Sequence, residues 1–299
     1  MVPPRAPSIS NIVKRLDKYF KGFADAVNIT DCASAILRMS SLGASMVCLQ
    51  QGFEPVLQIT CRDRNRIAIQ SELISAYALG VRNILCLTGD QVGEGDHPAA
   101  KPVFDMDAIN LIYMVNQMRN EGRYHSGEAI KLNHKSKTIK MDWLIGGAAN
   151  PYGNPPNHLA TRLEKKRLAG VNFLQTQPIY DPKGFDAWWR ALDDRGLVGK
   201  VKILPGILPP KSAQGLEFVR DNIPGMQVPE ASIRRMKSAE KAKKEGKKLT
   251  LEIVDFLLQY PIDGLHLYPV HWESYMPELA TEIREKARKA GHKVQPPLD

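Results

Sequence analysis

Two polar clusters close two apolar runs. Thr60-Cys61-Arg62-Asp63 ends the run that begins at Val56, and Thr88-Gly89-Asp90 ends the run Asn83–Leu87. Between them, residues 64–79 place Ile69, Leu73, Ala76 and Tyr77 at helical spacing. Asp63 is placed to accept from the free amides of the first helical turn, and Gly80 suits a left-handed C-cap. Strand, helix and strand with short links make a parallel βαβ unit. In parallel α/β folds the carboxyl edge of the strands is where ligands bind. The same reading applied to the whole chain gathers Thr30, Asp31, Gln58, Thr60, Arg62, Asp63, Thr88, Asp90, Asn150, Gln177 and Tyr268 at strand ends. Singly each has an ordinary structural role: Asp63 as a cap, Thr60 and Thr88 on loop amides, Tyr268 in a core. Together they describe an active-site mouth.

Other chemistries find no support. No Ser-His-Asp or Cys-His arrangement can be argued, the seven histidines show no metal-ligand spacing, and no dinucleotide-type glycine pattern follows a strand. Cys32, Cys48, Cys61 and Cys86 lack paired spacing, so neither a disulfide framework nor a zinc site is expected, and a reducing compartment follows. No apolar run is long enough to span a bilayer and no secretory h-region opens the chain, so the expected location is the cytoplasm.

The elements that must position these residues alternate along the chain. Strands are expected to start at residues 26, 56, 83, 143, 171, 201 and 262. Helices are expected over 11–20, from Asp31 to about Gln51 with Ile36, Met39 and Leu42 inward, over 64–79, and after Asp105 or Asp107 with Leu111, Met114, Val115 and Met118. Further helices cover His158–Leu168, the stretch carrying Trp188, Trp189 and Leu192, the stretch holding Leu216 and Phe218, most of Pro229–Gln259, and Trp272–Ala290. Gly122–Lys140 reads as an exposed Lys-rich excursion. At 299 residues without a break in composition, the chain is expected to be one domain of (βα)8 TIM-barrel class with seven of eight strands, the first missing.

The net charge of +9 is partly local, since Arg234–Lys248 holds eight basic and two acidic residues. A solvated helix face accounts for that run, and an acidic partner or polyanionic ligand would also suit it. Nucleic-acid binding is not expected, because aromatic interleaving and a recognisable module are both absent.

The blocks DAVNITD, EPVLQITCRDRNRIAIQSELISAYALGVRNILCLTGD, GDHPAAKPVFD, GAANP, AGVNFLQTQPIYD and ILPGILP occur in this order. Together they resemble the methylenetetrahydrofolate reductase family along nearly the whole chain. Their wording is most similar to the form found in acetogens and other anaerobes, which works beside an iron–sulfur partner subunit. The resemblance implies a flavin-bearing (βα)8 barrel that reduces 5,10-methylenetetrahydrofolate to 5-methyltetrahydrofolate by hydride transfer from reduced flavin. It implies that Asp90 serves catalysis and, with Gln177 and Tyr268, binds the pterin. A carboxylate accepts from two pterin N–H groups and favours a cationic iminium, and an amide offers both donor and acceptor. The flavin contacts it implies are Thr30, Gln58, Leu87, Thr88, Gly89, Asp90, Phe104, Asp105, Asn150 and Lys166, with Lys166 toward phosphate. Electrons would come from NAD(P)H or from the partner subunit, in an oligomer or hetero-complex.

Three departures qualify the resemblance. The family's proton-donating glutamate precedes a Pro-Pro pair that Pro3-Pro4 match, so it would fall just before Met1. The expectation is that Met1 is internal to the true reading frame, the rival being a chain that starts there. The flavin loop between Asn150 and Lys166 is short, which leaves FMN as the alternative to FAD. Trp272 stands near where many members carry an arginine that meets the folate.

Overall fold

The structure, a computed structural model, describes residues 1–270 and 272–294. These form two compact units: residues 1–147 with 165–172, and residues 148–164 with 173–294.

The first unit holds α1 (Ile9–Tyr19), β1 (Val27–Ile29), α2 (Ser41–Gln50), β2 (Pro55–Thr60), α3 (Arg66–Ala78), β3 (Asn83–Leu87) and α4 (Ala108–Asn120). It also contains the start of β4 (Leu144–Ala149) and the end of α5 (Pro156–Ala169). Its strands lie in chain order and pair in parallel: Val27↔Pro55, Val56↔Asn83 and Asn83↔Leu144 open the three registers. On the other edge of β1, Thr30 N donates to Met1 O (3.2 Å) and the Met1 amino group bonds Asn28 O. That alternation is a parallel ladder, so Met1 lies where a further parallel strand beside β1 would run. Ile12, Leu16, Val27, Ile29, Ala44 and Val47 form one core cluster, because the apolar stripe of α1 closes over β1 and α2.

The second unit holds the rest of β4 and α5, then β5 (Phe173–Pro178), α6 (Pro182–Asp193), β6 (Lys202–Ile207), α7 (Ala213–Asn222), α8 (Glu230–Ser238), α9 (Ala242–Leu257), β7 (His266–Leu267) and α10 (Met276–Lys289). Phe173↔Lys202 and Gly206↔His266 are again parallel pairs. The β5–β6 register shifts between Gln175 and Pro178. Thr176 Oγ1 explains the shift, accepting from Gly206 N (2.9 Å) and donating to Gln177 O (2.7 Å). Gly206 is needed there because a Cβ would lie 2.7 Å from Thr176 O. Phe185, Trp188, Trp189, Phe256 and Tyr260 stack in tilted and edge-on pairs, which anchors α6 against α9.

Parallel strands alternating with helices, seven among the described residues, make this the (βα)8 barrel class. Several expectations from local pattern need correction. No continuous helix runs from Asp31 to Gln51: a short turn occupies Ala33–Ala35, and α2 begins only after Ser40, whose hydroxyl accepts from Gly43 N (3.1 Å). The buried apolar side chains of α2 are accordingly Ala44, Val47 and Cys48, rather than Ile36, Met39 and Leu42. Asp63 does not cap α3. Both its oxygens are taken by Arg62 (2.9 and 2.7 Å), and Asn65 accepts from Ile67 N and Ala68 N instead. Asp107, not Asp105, caps α4. Pro229–Gln259 is two helices, and the last strand is confined to His266–Leu267. Gly80 has φ +99° and closes α3 as expected.

Candidate functional site

In the first unit, Asp31 joins three elements at the carboxyl ends of β1 and β2. It is 3 % exposed and accepts from Thr60 N and Oγ1 (both 2.9 Å) and from Arg64 Nη1 (2.8 Å) and Nη2 (3.2 Å). Arg64 is held from its other side by Glu72 (2.6 Å). This buried charge network makes the strand ends rigid.

Gly89 follows β3 with φ +100°, and a Cβ there would stand 3.0 Å from Arg62 Cβ and 3.1 Å from Thr60 Cβ. The turn therefore excludes side chains twice, by conformation and by space. Gly89→Ala is expected to cost about 1–2 kcal/mol from the left-handed backbone alone, read as a lowered urea midpoint. A midpoint equal to wild type would show that the turn relaxes freely.

The turn presents Asp90, which is exposed and whose Oδ2 accepts from Ser34 N (2.6 Å). The segment receiving it is strained: Cys32, Ser34 and Ala35 have φ of 44°, 57° and 53°. Non-glycine residues in this region cluster at functional sites. Gly95 packs so closely on Ala35 O that no Cβ would fit, and Asp96 accepts from Leu37 N (3.0 Å) and Arg5 (2.6 Å). The loops after β1 and β3 are thus stapled together. Local pattern missed Ser34, because Ala and Ser in this stretch read as helix.

The remaining residues of the first unit divide by what their polar atoms do. Thr88 Oγ1 accepts from Ala108 N (3.1 Å) at the start of α4. Asp105 closes on Arg66, accepting from its backbone N, Nε and Nη2 at 2.8–2.9 Å, and that guanidinium holds its carboxyl far below the usual range. Phe104 has φ +40° and donates its N–H to Cys61 O (3.1 Å) along the end of β2. Gln58 and Leu87 are half-buried on β2 and β3. Lys166 is half-buried on the last turns of α5. At the ends of β1 and β2, two buried polar atoms have no partner among the described residues: Thr30 Oγ1, one residue past β1, and Nη1 of Arg62, a side chain only 2 % exposed. Buried donors are normally satisfied, so both fit a site that holds a polar ligand. The thiols of Cys48 and Cys61 do not suit chemistry, since burial pushes Cys48 up to about 11 and Cys61 up to about 12.

In the second unit, Asn150 follows β4, where its Oδ1 accepts from Tyr152 N (2.9 Å) and its Nδ2 donates to Gly225 O (3.2 Å). Gln177 lies half-buried at the β5 bulge. The Tyr268 hydroxyl donates to Thr176 O (3.0 Å), so Gln177 and Tyr268 flank the same bulge, and burial pushes that phenol well up. The His266 ring lies 4.1 Å from that of Tyr268, and burial pushes His266 down to about 3. An unfolded imidazole titrates near 6.5, so below that pH the unfolded chain takes up a proton that the folded chain refuses. Stability from this group is therefore complete above about pH 6.5 and declines toward pH 3. His266→Gln is expected to flatten the fall of the urea midpoint between pH 7 and 4. Parallel declines for the two proteins would remove His266 as its source.

Among the described residues no cluster of His, Cys, Asp and Glu could hold a metal, and no helix is long and apolar enough to cross a membrane.

A model of the methylenetetrahydrofolate reductase family matches residues 1–284. Among curated proteins, the chain is 25 % identical over 301 residues to a probable methylenetetrahydrofolate reductase (NADPH) of Caenorhabditis elegans, covering 94 % of this chain and 41 % of that protein. It is 24 % identical over 286 residues to methylenetetrahydrofolate reductase 1 of Schizosaccharomyces pombe, covering 91 % and 43 %. The chain thus spans about two-fifths of the length of these relatives. Among solved structures, an uncharacterized protein from Clostridium thermocellum that binds two copies of 5-methyl-5,6,7,8-tetrahydrofolic acid superposes with a TM-score of 0.62. At 15 % identity, covering 94 % of this chain and 92 % of that one, it shares the fold.

Proposed function

The chain belongs to the methylenetetrahydrofolate reductase family, and from that premise we propose that it is a flavoprotein that reduces 5,10-methylenetetrahydrofolate to 5-methyltetrahydrofolate. The family match over residues 1–284 carries this reading. The unpartnered Thr30 Oγ1 and Arg62 Nη1 and the side-chain-free turn at Gly89 support it, because a flat heteroaromatic cofactor needs both donors and close backbone approach.

When bound, reduced flavin supplies the hydride from N5. The residues proposed to hold it are Thr30, Gln58, Leu87, Thr88, Gly89, Asp90, Phe104, Asp105, Asn150 and Lys166. Of these, Thr30 has a free hydroxyl to offer, and Gly89 brings its backbone close. Thr88 and Asp105 already bind Ala108 N and Arg66, so their part is to shape the wall. Asp90 is proposed to bind the pterin and to favour positive charge as the one-carbon unit becomes an iminium. Its Oδ1 has no partner among the described residues, while Ser34 N holds Oδ2. Gln177 and Tyr268 are proposed as pterin contacts on the resemblance of the TQ motif and the end of the last strand, with Tyr268 held by Thr176 O.

The finer parts of the reading are the acetogen-type form with an iron–sulfur partner subunit or NAD(P)H as donor, FAD or else FMN as the flavin, one barrel domain over 1–299, a cytoplasmic site of action, and an oligomer or hetero-complex. The competing reading is a non-catalytic folate- or flavin-binding subunit. A visible spectrum separates the two. Bleaching of the visible flavin absorption on adding a reductant and recovery on adding methylenetetrahydrofolate is the expected result. A spectral shift without recovery overturns the enzyme reading in favour of the binding subunit.

A further inference from the structure

The basic run Arg234–Lys248 divides into paired and unpaired charge. Arg235 bonds Glu252 (2.6 and 2.7 Å) and Glu245, Lys237 bonds Glu217 (2.6 Å), and Lys247 bonds Glu278 (2.5 Å). Lys243 and Lys244 have no partner among the described residues, and both are exposed. They and Lys247, on the first turns of α9, line a cleft of about 410 Å³ whose other walls are Trp272, Ser274, Tyr275 and Glu278. Gly246 sets the placement of these lysines: it sits against Pro210 O so closely that no Cβ would fit.

Two further features favour an anion. The cleft borders the start of α10, a 14-residue helix with no side-chain cap, so the positive end of its dipole lies there. Tyr275 is 2 % exposed and its buried hydroxyl has no partner among the described residues. Leaving a buried hydroxyl unmatched is unfavourable, and a ligand oxygen would relieve it. Lys247 sits 4.5 Å from the Tyr275 ring centroid, held by Glu278, which cancels the one carboxylate among the lining residues. The remaining charge comes from ammonium groups with no guanidinium fork. That favours compact phosphate over planar carboxylate, which arginine pairs bidentately. The volume exceeds what inorganic phosphate needs and suits a small organic molecule, with Trp272 as an apolar wall.

We propose that this cleft binds a phosphorylated small molecule, its phosphate oxygens on Lys243 and Lys244 and the Tyr275 hydroxyl donating to one of them. The inference is independent of the folate reading. The test is calorimetric titration of the full chain with inorganic pyrophosphate at constant ionic strength, with tricarballylate as the carboxylate comparator. Wild type is expected to bind pyrophosphate saturably and more tightly than tricarballylate. The double variant Lys243→Ala/Lys244→Ala is expected to weaken pyrophosphate at least tenfold, and Tyr275→Phe severalfold. Without ligand, Tyr275→Phe is expected to unfold at the same or a higher urea concentration than wild type, since it removes an unmatched hydroxyl. No saturable pyrophosphate binding, equal affinity in wild type and the variants, or tricarballylate binding as tightly as pyrophosphate would each overturn the proposal.

Discussion

Asp31→Ala is expected to lower the unfolding free energy by about 3–5 kcal/mol, the usual cost of breaking a buried ion pair from one side. The carboxylate is 3 % exposed and receives four hydrogen bonds, two from Thr60 and two from Arg64. Removing it strands the buried Thr60 N–H and hydroxyl and leaves Arg64 with Glu72 as its remaining ion pair. Asp31→Asn keeps the shape and part of the acceptor capacity, so it should cost less than Ala. The measurement is the urea midpoint with the slope unchanged. If Asn costs as much as Ala, the charge rather than the bond count is what matters. If neither variant costs more than 1 kcal/mol, the network is not structural. Thr30 stands next to Asp31, so the alanine variant is also expected to lose flavin during purification.

Asp90→Asn is expected to retain flavin yet slow methylenetetrahydrofolate reduction more than tenfold, roughly 1.4 kcal/mol or more in the barrier. The substitution is chosen for what it keeps. An asparagine carbonyl can still accept from Ser34 N, where Asp90 Oδ2 now lies at 2.6 Å, so the strained turn at 32–35 retains its anchor. Only the negative charge and one acceptor position are lost, so stability should stay within about 0.5 kcal/mol of wild type, as for an exposed substitution. Single-turnover mixing of the reduced protein with methylenetetrahydrofolate reads the chemical step directly. Unchanged turnover would remove Asp90 from the mechanism. A slowed rate accompanied by a lowered urea midpoint would place its role in the loop instead.

The parallel alternation was legible in the chain because it rests on local rules. Apolar runs bounded by turn residues became β2 and β3, and helical spacing of Ile69, Leu73 and Ala76 became the buried face of α3. Gly80 closed that helix for a reason a single residue carries, its freedom at positive φ. Short-range competition was already harder to read: Arg62 captured Asp63 and left the cap to Asn65. The turn at 32–35 was not legible at all. Ala and Ser are acceptable in a helix, and the turn is anchored from far along the chain, by Asp90, 56 positions beyond Ser34, and by Gly95 and Asp96.

By itself the sequence determined the class of fold, the order of its elements and the family, since periodicity, turn chemistry and ordered motifs survive without knowledge of any contact. The tertiary structure alone decided which polar side chains are spent on the scaffold and which are left over for a ligand. Asp105, Thr88 and Asn150 are engaged, whereas Thr30 Oγ1, Arg62 Nη1 and the Tyr275 hydroxyl are not. The physical reason is that a hydrogen bond is satisfied by whatever folding brings within about 3 Å, and for most of these groups that partner is tens of residues away along the chain.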